Sequence, residues 1–247
     1  MKNKGEDEMD TLMTCLGELV VANRILAREG VVDAFGHISV RHPDNPERYF
    51  MSRSRAPELI TSDDLMEFKL DGEPIDLQDR TPYGERYIHG AIYEKRPDVN
   101  SVIHNHSHEI IPFGVTKTTT LRPVAHVGSV IGNNIKTWDI RDHFGETNML
   151  VVNMDQGRSL ADALGGNRVA LMRGHGAAVS GANIRQAVMT AVYLQVNAKL
   201  LLQTLQLGEP IYMSDAEVEN CFQTQMSPLG LDRAWEYWVA RAGVSDI

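Results

Sequence analysis

Cysteine is scarce: Cys15 and Cys221 are the only two in 247 residues, which excludes both a disulfide framework and a cysteine metal cluster. Long apolar runs are also missing. No stretch approaches the roughly 20 apolar residues that a membrane span requires, so the chain is expected neither to span a membrane nor to lie on one. The opening Met1-Lys2-Asn3-Lys4-Gly5-Glu6-Asp7-Glu8 is polar and mixed in charge, without the apolar segment of a secretory signal, and the expected location is the cytoplasm. Positive charge is in deficit, with 24 Lys and Arg against 33 Asp and Glu and a net charge of -9. No basic stripe with interleaved aromatics relieves it, so nucleic acid is not an expected partner. An anionic substrate must then be met by local arginines. Internal repeats and low-complexity segments are absent.

What is present is the composition of a soluble globular protein, 43% hydrophobic and 23% charged, of a length that suits one large domain. The most informative stretch is Ser101-Val102-Ile103-His104-Asn105-His106-Ser107-His108. Val102 and Ile103 announce a strand, and in a strand residues two apart face the same way, so His104 and His106 present two imidazoles to one point. Two such histidines suit a metal, although an edge strand also carries paired histidines by chance. His108 has the same spacing without a role to assign.

Around that strand the chain alternates short strands with amphipathic helices. Apolar residues at helical spacing predict a helix over 9–29, stopped by Gly30. Residues 36–41 and 49–51 read as strands joined by a proline-rich turn, 52–57 as a polar loop and 66–70 as a strand closed by Asp71-Gly72. Thr81 is the expected N-cap of a helix over 86–95, which places Glu85 in its first turn; complementing a helix N-terminus is the plain role for such an acid. Residues 109–114 allow one helical turn, 121–132 read as loop and short strand, 148–153 as strand-like, 159–164 as a short helix and 169–172 as a buried strand. That strand runs into Arg173-Gly174-His175-Gly176. Glycine on both sides of a histidine is a costly backbone choice unless a turn or a close approach requires it, which makes His175 the third candidate ligand rather than an ordinary turn histidine. A long helix over 184–207 and a helical tail over 215–242 follow, the latter with Trp235, Tyr237 and Trp238 close together for packing on the body or on a neighbouring subunit. Three imidazoles with a position left open are what a catalytic divalent metal needs.

These residues resemble the class II aldolase/adducin family over about 12–212. The likeness rests on Gly36-x-x-Ser39, on Glu85 followed by His89 and Arg96-Pro97-Asp98, on Val102-Ile103-His104-Asn105-His106 and on Arg173-Gly174-His175-Gly176. The resemblance implies an α/β fold of three layers, α-β-α, with a central, mainly antiparallel sheet. It implies a catalytic domain over 9–212, a flexible N-terminus over 1–8 and a helical extension over 213–247. It further implies a homotetramer with interfacial active sites, one divalent metal ion per subunit (manganese, zinc, cobalt or iron) on His104, His106 and His175, and Glu85 as the acid/base that also approaches the metal.

Departures from the sugar-phosphate members are equally informative. Where those carry small groups that cradle phosphate, this chain has Gly36-His37-Ile38-Ser39, Ser52-Arg53-Ser54-Arg55-Ala56-Pro57 and Pro82-Tyr83-Gly84. The altered pattern resembles the branch of 3-hydroxy-2-methylpyridine-4,5-dicarboxylate decarboxylase and 3,4-dihydroxyphthalate decarboxylase. Arginine binds a carboxylate through two parallel charge-assisted hydrogen bonds, and histidine suits an acid or a phenol; decoration of a solvated loop is the alternative for Arg53 and Arg55. The expected substrate contacts are therefore His37, Ser52, Arg53, Ser54, Arg55 and Tyr83, with Tyr212 from the end of the catalytic domain. The expected activity is decarboxylation of a hydroxylated aromatic or heteroaromatic dicarboxylate, with Glu85 protonating carbon provided that burial raises its pKa. A class II aldolase or epimerase, and a metal-free adducin-like interaction module, are the alternatives.

Overall fold

The computed structural model describes residues 4–243. Of the flexible N-terminus expected over 1–8, residues 1–3 lie outside the described residues, and the first helix, α1, spans Lys4–Arg28. Strands β1 (His37–Arg41), β2 (Arg48–Ser52) and β3 (Leu65–Lys69) form an antiparallel meander, and α2 (Arg86–Lys95) leads to β4 (Ser101–Asn105). The helices α3 (Ile111–Val115), α4 (Arg141–Phe144) and α5 (Met154–Leu164) and the short strand β5 (Lys136–Trp138) precede β6 (Val169–Met172) and β7 (Gly176–Gly181). Helices α6 (Ile184–Leu207), α7 (Asp215–Gln225) and α8 (Pro228–Ala242) close the chain. The sheet has seven strands in the order β3-β2-β1-β4-β7-β6-β5, antiparallel except for the β5–β6 pair. This is the mainly antiparallel sheet between helical layers that the sequence led us to expect.

Period-two alternation divides the core. Ile38, Val40, Ile103, Leu171 and Val179 face one cluster built with Leu19, Ile25, Leu194 and Trp235 from α1, α6 and α8. Tyr49, Met51, Val102, Ala170 and Ala178 face the other, built with Ile88, Ile92 and Leu160 from α2 and α5. Trp235 and Trp238 are buried in the first cluster, whereas Tyr237 is exposed. The tail is two helices rather than one, because Ser227 caps α8 by accepting from the Gly230 N–H and Pro228 occupies its first turn. Among the described residues, no helix is long and apolar enough to cross a membrane.

Four local expectations change. Residues 148–153 form no strand, because their N–H groups go to side chains: Leu150 to Asn148 Oδ1, Val151 to Glu85 Oε1 and Val152 to Gln156 Oε1. Asn153 then caps α5, which starts at Met154 instead of near 159. Thr81 caps nothing on α2; Glu85 itself holds the N-cap position, without a side-chain cap bond. Strand β4 ends at Asn105, so His108 lies in an exposed turn and not on the strand face. Strand β7 went unforeseen because Gly176-Ala177-Ala178-Val179-Ser180-Gly181 carries almost no bulky β-formers.

Candidate active site

The register of the central strands assembles the site. His104, the penultimate residue of β4, lies opposite His37 on β1 and opposite Ala178 on β7, so all three side chains share the face toward α2. His106 follows just beyond the strand, and its Nε2 is 2.8 Å from His104 Nε2. The expected convergence of the pair therefore holds although the strand stops between them. His175 occupies the turn from β6 to β7, and two glycines make that turn possible. Gly174 has φ +64, a left-handed conformation that side chains disfavour, while a Cβ on Gly176 would collide with the Asn105 carbonyl. Glu85 completes the group from the start of α2, its Oε2 3.4 Å from His104 Nε2 and 3.6 Å from His175 Nε2. One ligand atom from each of the four residues lies within 4.8 Å of every other.

The donor set fits a cation. His104 Nδ1 is 3.1 Å from the Ala177 carbonyl oxygen, which can only accept, so Nδ1 carries the proton and Nε2 keeps its lone pair. That lone pair faces a carboxylate oxygen, an arrangement of two electron-rich atoms that a positive ion between them satisfies. Burial lowers His106 and His175 to about 4, with repulsion from His104 adding to it, and both are neutral near pH 7. For Glu85, burial favours the neutral acid, but the His104 and His175 imidazoles and the Val151 N–H outweigh it and bring the carboxyl down to about 2. The Glu85 carboxyl therefore lies below its ordinary value and not above it as burial alone led us to expect.

The walls of the site bring most of the expected substrate contacts together. The His37 ring lies 5.2 Å from that of His104 and 4.6 Å from that of Tyr83. Tyr83 donates its phenol to the Arg55 carbonyl, tying the 52–55 loop to His37 and leaving that hydroxyl occupied. Ser52 is buried at the end of β2, and Ser54 is exposed. Arg53 and Arg55 share one buried carboxylate, Asp64, at 2.5 and 2.8 Å. They are neither a solvated decoration nor wholly free; each keeps further guanidinium donors for a ligand. Tyr212 is not brought to this group within the chain: its ring lies under the Arg122 guanidinium at 4.5 Å. Sequence reasoning passed over Asp64, whose Oδ2 accepts from the Thr61 backbone and hydroxyl, and over Val151. A Thr-x-x-Asp capping signal was available for Asp64; nothing local marks Val151. A cavity of about 450 Å³ opens beside His106, with Asp33, His108, Glu109 and Gln195 among its lining residues.

Comparison with known proteins agrees with this geometry. The family model Class II Aldolase and Adducin N-terminal domain matches residues 17–202. The decarboxylase tropJ of Talaromyces stipitatus is 32% identical over 237 residues, covering 87% of this chain and 89% of that protein. A 3,4-dihydroxyphthalate decarboxylase of Arthrobacter keyseri is 25% identical over 237 residues, covering 90% and 92%. Among solved structures, L-fuculose 1-phosphate aldolase from Glaciozyma antarctica shares the fold with a TM-score of 0.79 at 20% identity, covering 96% of this chain and 91% of that one. A match across most of the chain, carried on the strands and turns that bring the four residues together, shows that this protein belongs to the class II aldolase and adducin family and resembles its decarboxylases as well as its aldolases.

Proposed function

We propose that the protein is a divalent-metal-dependent decarboxylase of a hydroxylated aromatic or heteroaromatic dicarboxylate, of dihydroxyphthalate or hydroxypyridine-dicarboxylate type. One observation carries the reading: beside the three-histidine cluster stands a wall of acid-binding groups, with His37 against His104 and the Arg53–Arg55 loop joined to His37 through Tyr83. The names of two relatives support it. His104, His106 and His175 would hold the ion with Glu85 beside them; imidazole accepts manganese, zinc, cobalt and iron alike. A bound divalent ion supplies Lewis-acid stabilisation of negative charge on a neighbouring oxygen.

The protein's own groups do the rest. Arg53 and Arg55 hold the carboxylate that stays, and His37 orients the ring. Glu85, ionised in the resting site, takes the proton of the ring hydroxyl as substrate binds. The bond to the departing carboxylate breaks, carbon dioxide leaves without the electron pair, and Glu85 returns its proton to the ring carbon. The product oxyanion then takes a proton from solvent, which balances the reaction and leaves Glu85 again in its ionised form. Exposed Phe35, Val115 and Leu150 adjoin residues of the site and suit cover by a neighbouring subunit, and the reading includes a cytoplasmic homotetramer with interfacial active sites.

The same cluster serves an aldolase, and the likeness to L-fuculose 1-phosphate aldolase in fold favours that second reading. Incubation of metal-loaded protein with 3,4-dihydroxyphthalate and, separately, with L-fuculose 1-phosphate distinguishes them. Carbon dioxide from the first is expected; cleavage of the second with no carbon dioxide from the first would transfer the assignment to the aldolases. A folded protein that binds no stoichiometric metal would favour an interaction module.

A further inference from the structure

On α2 and its N-cap, Glu85, His89 and Tyr93 stand four residues apart and form one stripe toward the sheet. Four residues of helix rise about 6 Å and two residues of strand about 6.7 Å, so this stripe stays in step with His37 and Ser39, two apart on β1. Glu85 meets the metal cluster, and the other two enter a separate chain of hydrogen bonds. His37 Nδ1 is 2.7 Å from His89 Nε2, His89 Nδ1 is 2.6 Å from Ser39 Oγ, and Ser39 Oγ is 2.7 Å from Tyr93 OH. Exposure is 3% for His37, 1% for Tyr93 and 0% for His89 and Ser39, which leaves no room for exchange with water along the row. The far end is closed as well. The Arg41 guanidinium covers the Tyr93 ring at 4.7 Å and is itself held by the carbonyls of Pro46, Tyr93, Val99 and Arg96. A row sealed at that end does not conduct protons to solvent; it orients what lies at its open end.

Donor accounting sets the direction of the row. Among the described residues the side-chain partner of the Tyr93 hydroxyl is Ser39 Oγ, and a buried phenol keeps its proton satisfied by donating there. In that direction Ser39 would pass its own proton to His89 Nδ1, His89 would donate from Nε2 to His37 Nδ1, and the proton of neutral His37 would be left on Nε2. We propose that His89, backed by Ser39 and Tyr93, is a positioning residue that locks the His37 ring so that a single N–H, on Nε2, is offered to the acidic group of the substrate beside the metal cluster. The proposal rests on the reading of His37 as a substrate contact. Histidine suits this position because its two ring nitrogens let it engage the row and the substrate at once.

The test uses the full-length protein loaded with zinc, which is diamagnetic, and labelled with nitrogen-15 at histidine. In the wild type His37 should show one tautomer, protonated on Nε2; Ser39→Ala and Tyr93→Phe, which cut the row at different points and leave both histidines in the sequence, should each give a mixture. In steady-state assays with 3,4-dihydroxyphthalate, each variant should lower kcat/KM by about tenfold to a hundredfold. In a His37→Asn background neither should lower it further. An unchanged His37 tautomer in both variants, or equal losses with and without His37, would overturn the proposal. Thermal melts show that the variants compared are folded, and either one alone suffices for the cycle. Should the wild type release no carbon dioxide from any aromatic dicarboxylate, the decarboxylase reading falls while the tautomer measurement still decides this one.

Discussion

Glu85 shows how neighbours outrank burial at the level of one residue. One oxygen accepts from the Val151 N–H at 3.0 Å, and the other faces two imidazoles. We expect Glu85→Gln to keep its metal, measured by elemental analysis, because the three histidines remain, and to lose turnover by on the order of 10²–10⁴-fold as the proton carrier disappears. Asp64 is the second residue that organises others. Its carboxyl is buried yet, through Arg53, Thr61 and Arg55, is held down to about 2. Asp64→Asn should release both guanidinium groups from a common anchor and raise KM for a dicarboxylate about tenfold or more, with a smaller change in kcat; an unchanged KM would remove the Arg53–Arg55 loop from the binding site.

At the level of elements, the β6–β7 turn and the strap over 148–153 determine whether the cluster closes. The two glycines of the turn answer different needs. Gly174 supplies a left-handed φ, and its change to alanine should cost about 1 kcal/mol in urea unfolding. Gly176 permits backbone contact with Asn105, and alanine there should cost about 2–3 kcal/mol and weaken metal binding as well, since it moves His175 away from β4. The same comparison explains what was legible. The Gly-His-Gly pattern was visible because special backbone geometry leaves a mark in composition. The strap was misread as a strand because its unbroken apolar run, Met149-Leu150-Val151-Val152, resembles one, while its N–H groups are taken by Glu85, Asn148 and Gln156.

For the whole molecule, the buried titratable groups predict acid sensitivity in the metal-free protein. His89, His106 and His175 have folded pKa values near 3, 4 and 4, below the ordinary 6.5, so the unfolded chain binds more protons than the native one between those limits. Stability should therefore fall as pH drops from about 6.5 towards 4. Asp64 acts in the same direction lower down: its contribution is present above 3.8 and is lost as pH falls towards about 2. Urea midpoints measured across this range in a chelator check both steps, and bound metal should raise the stability near neutral pH while making it more sensitive to acid, because ligation keeps His104, His106 and His175 unprotonated in the native state. Sedimentation equilibrium tests the proposed tetramer.

The chemistry was largely written in the sequence. His104, His106 and His175 stood out as candidate ligands by residue type and by their places at a strand end and a glycine-flanked turn, whereas the role expected of Glu85 and the fold class followed from the family likeness. Only the tertiary structure decided the interactions between distant segments: that Glu85 accepts from the Val151 N–H, that Arg53 and Arg55 share Asp64, and that His37 is tied through His89 and Ser39 to Tyr93. These contacts join residues 9 to 66 positions apart. Local propensity carries no record of them, because a hydrogen bond is set by distance in space and the packing of α2 on the sheet sets that distance.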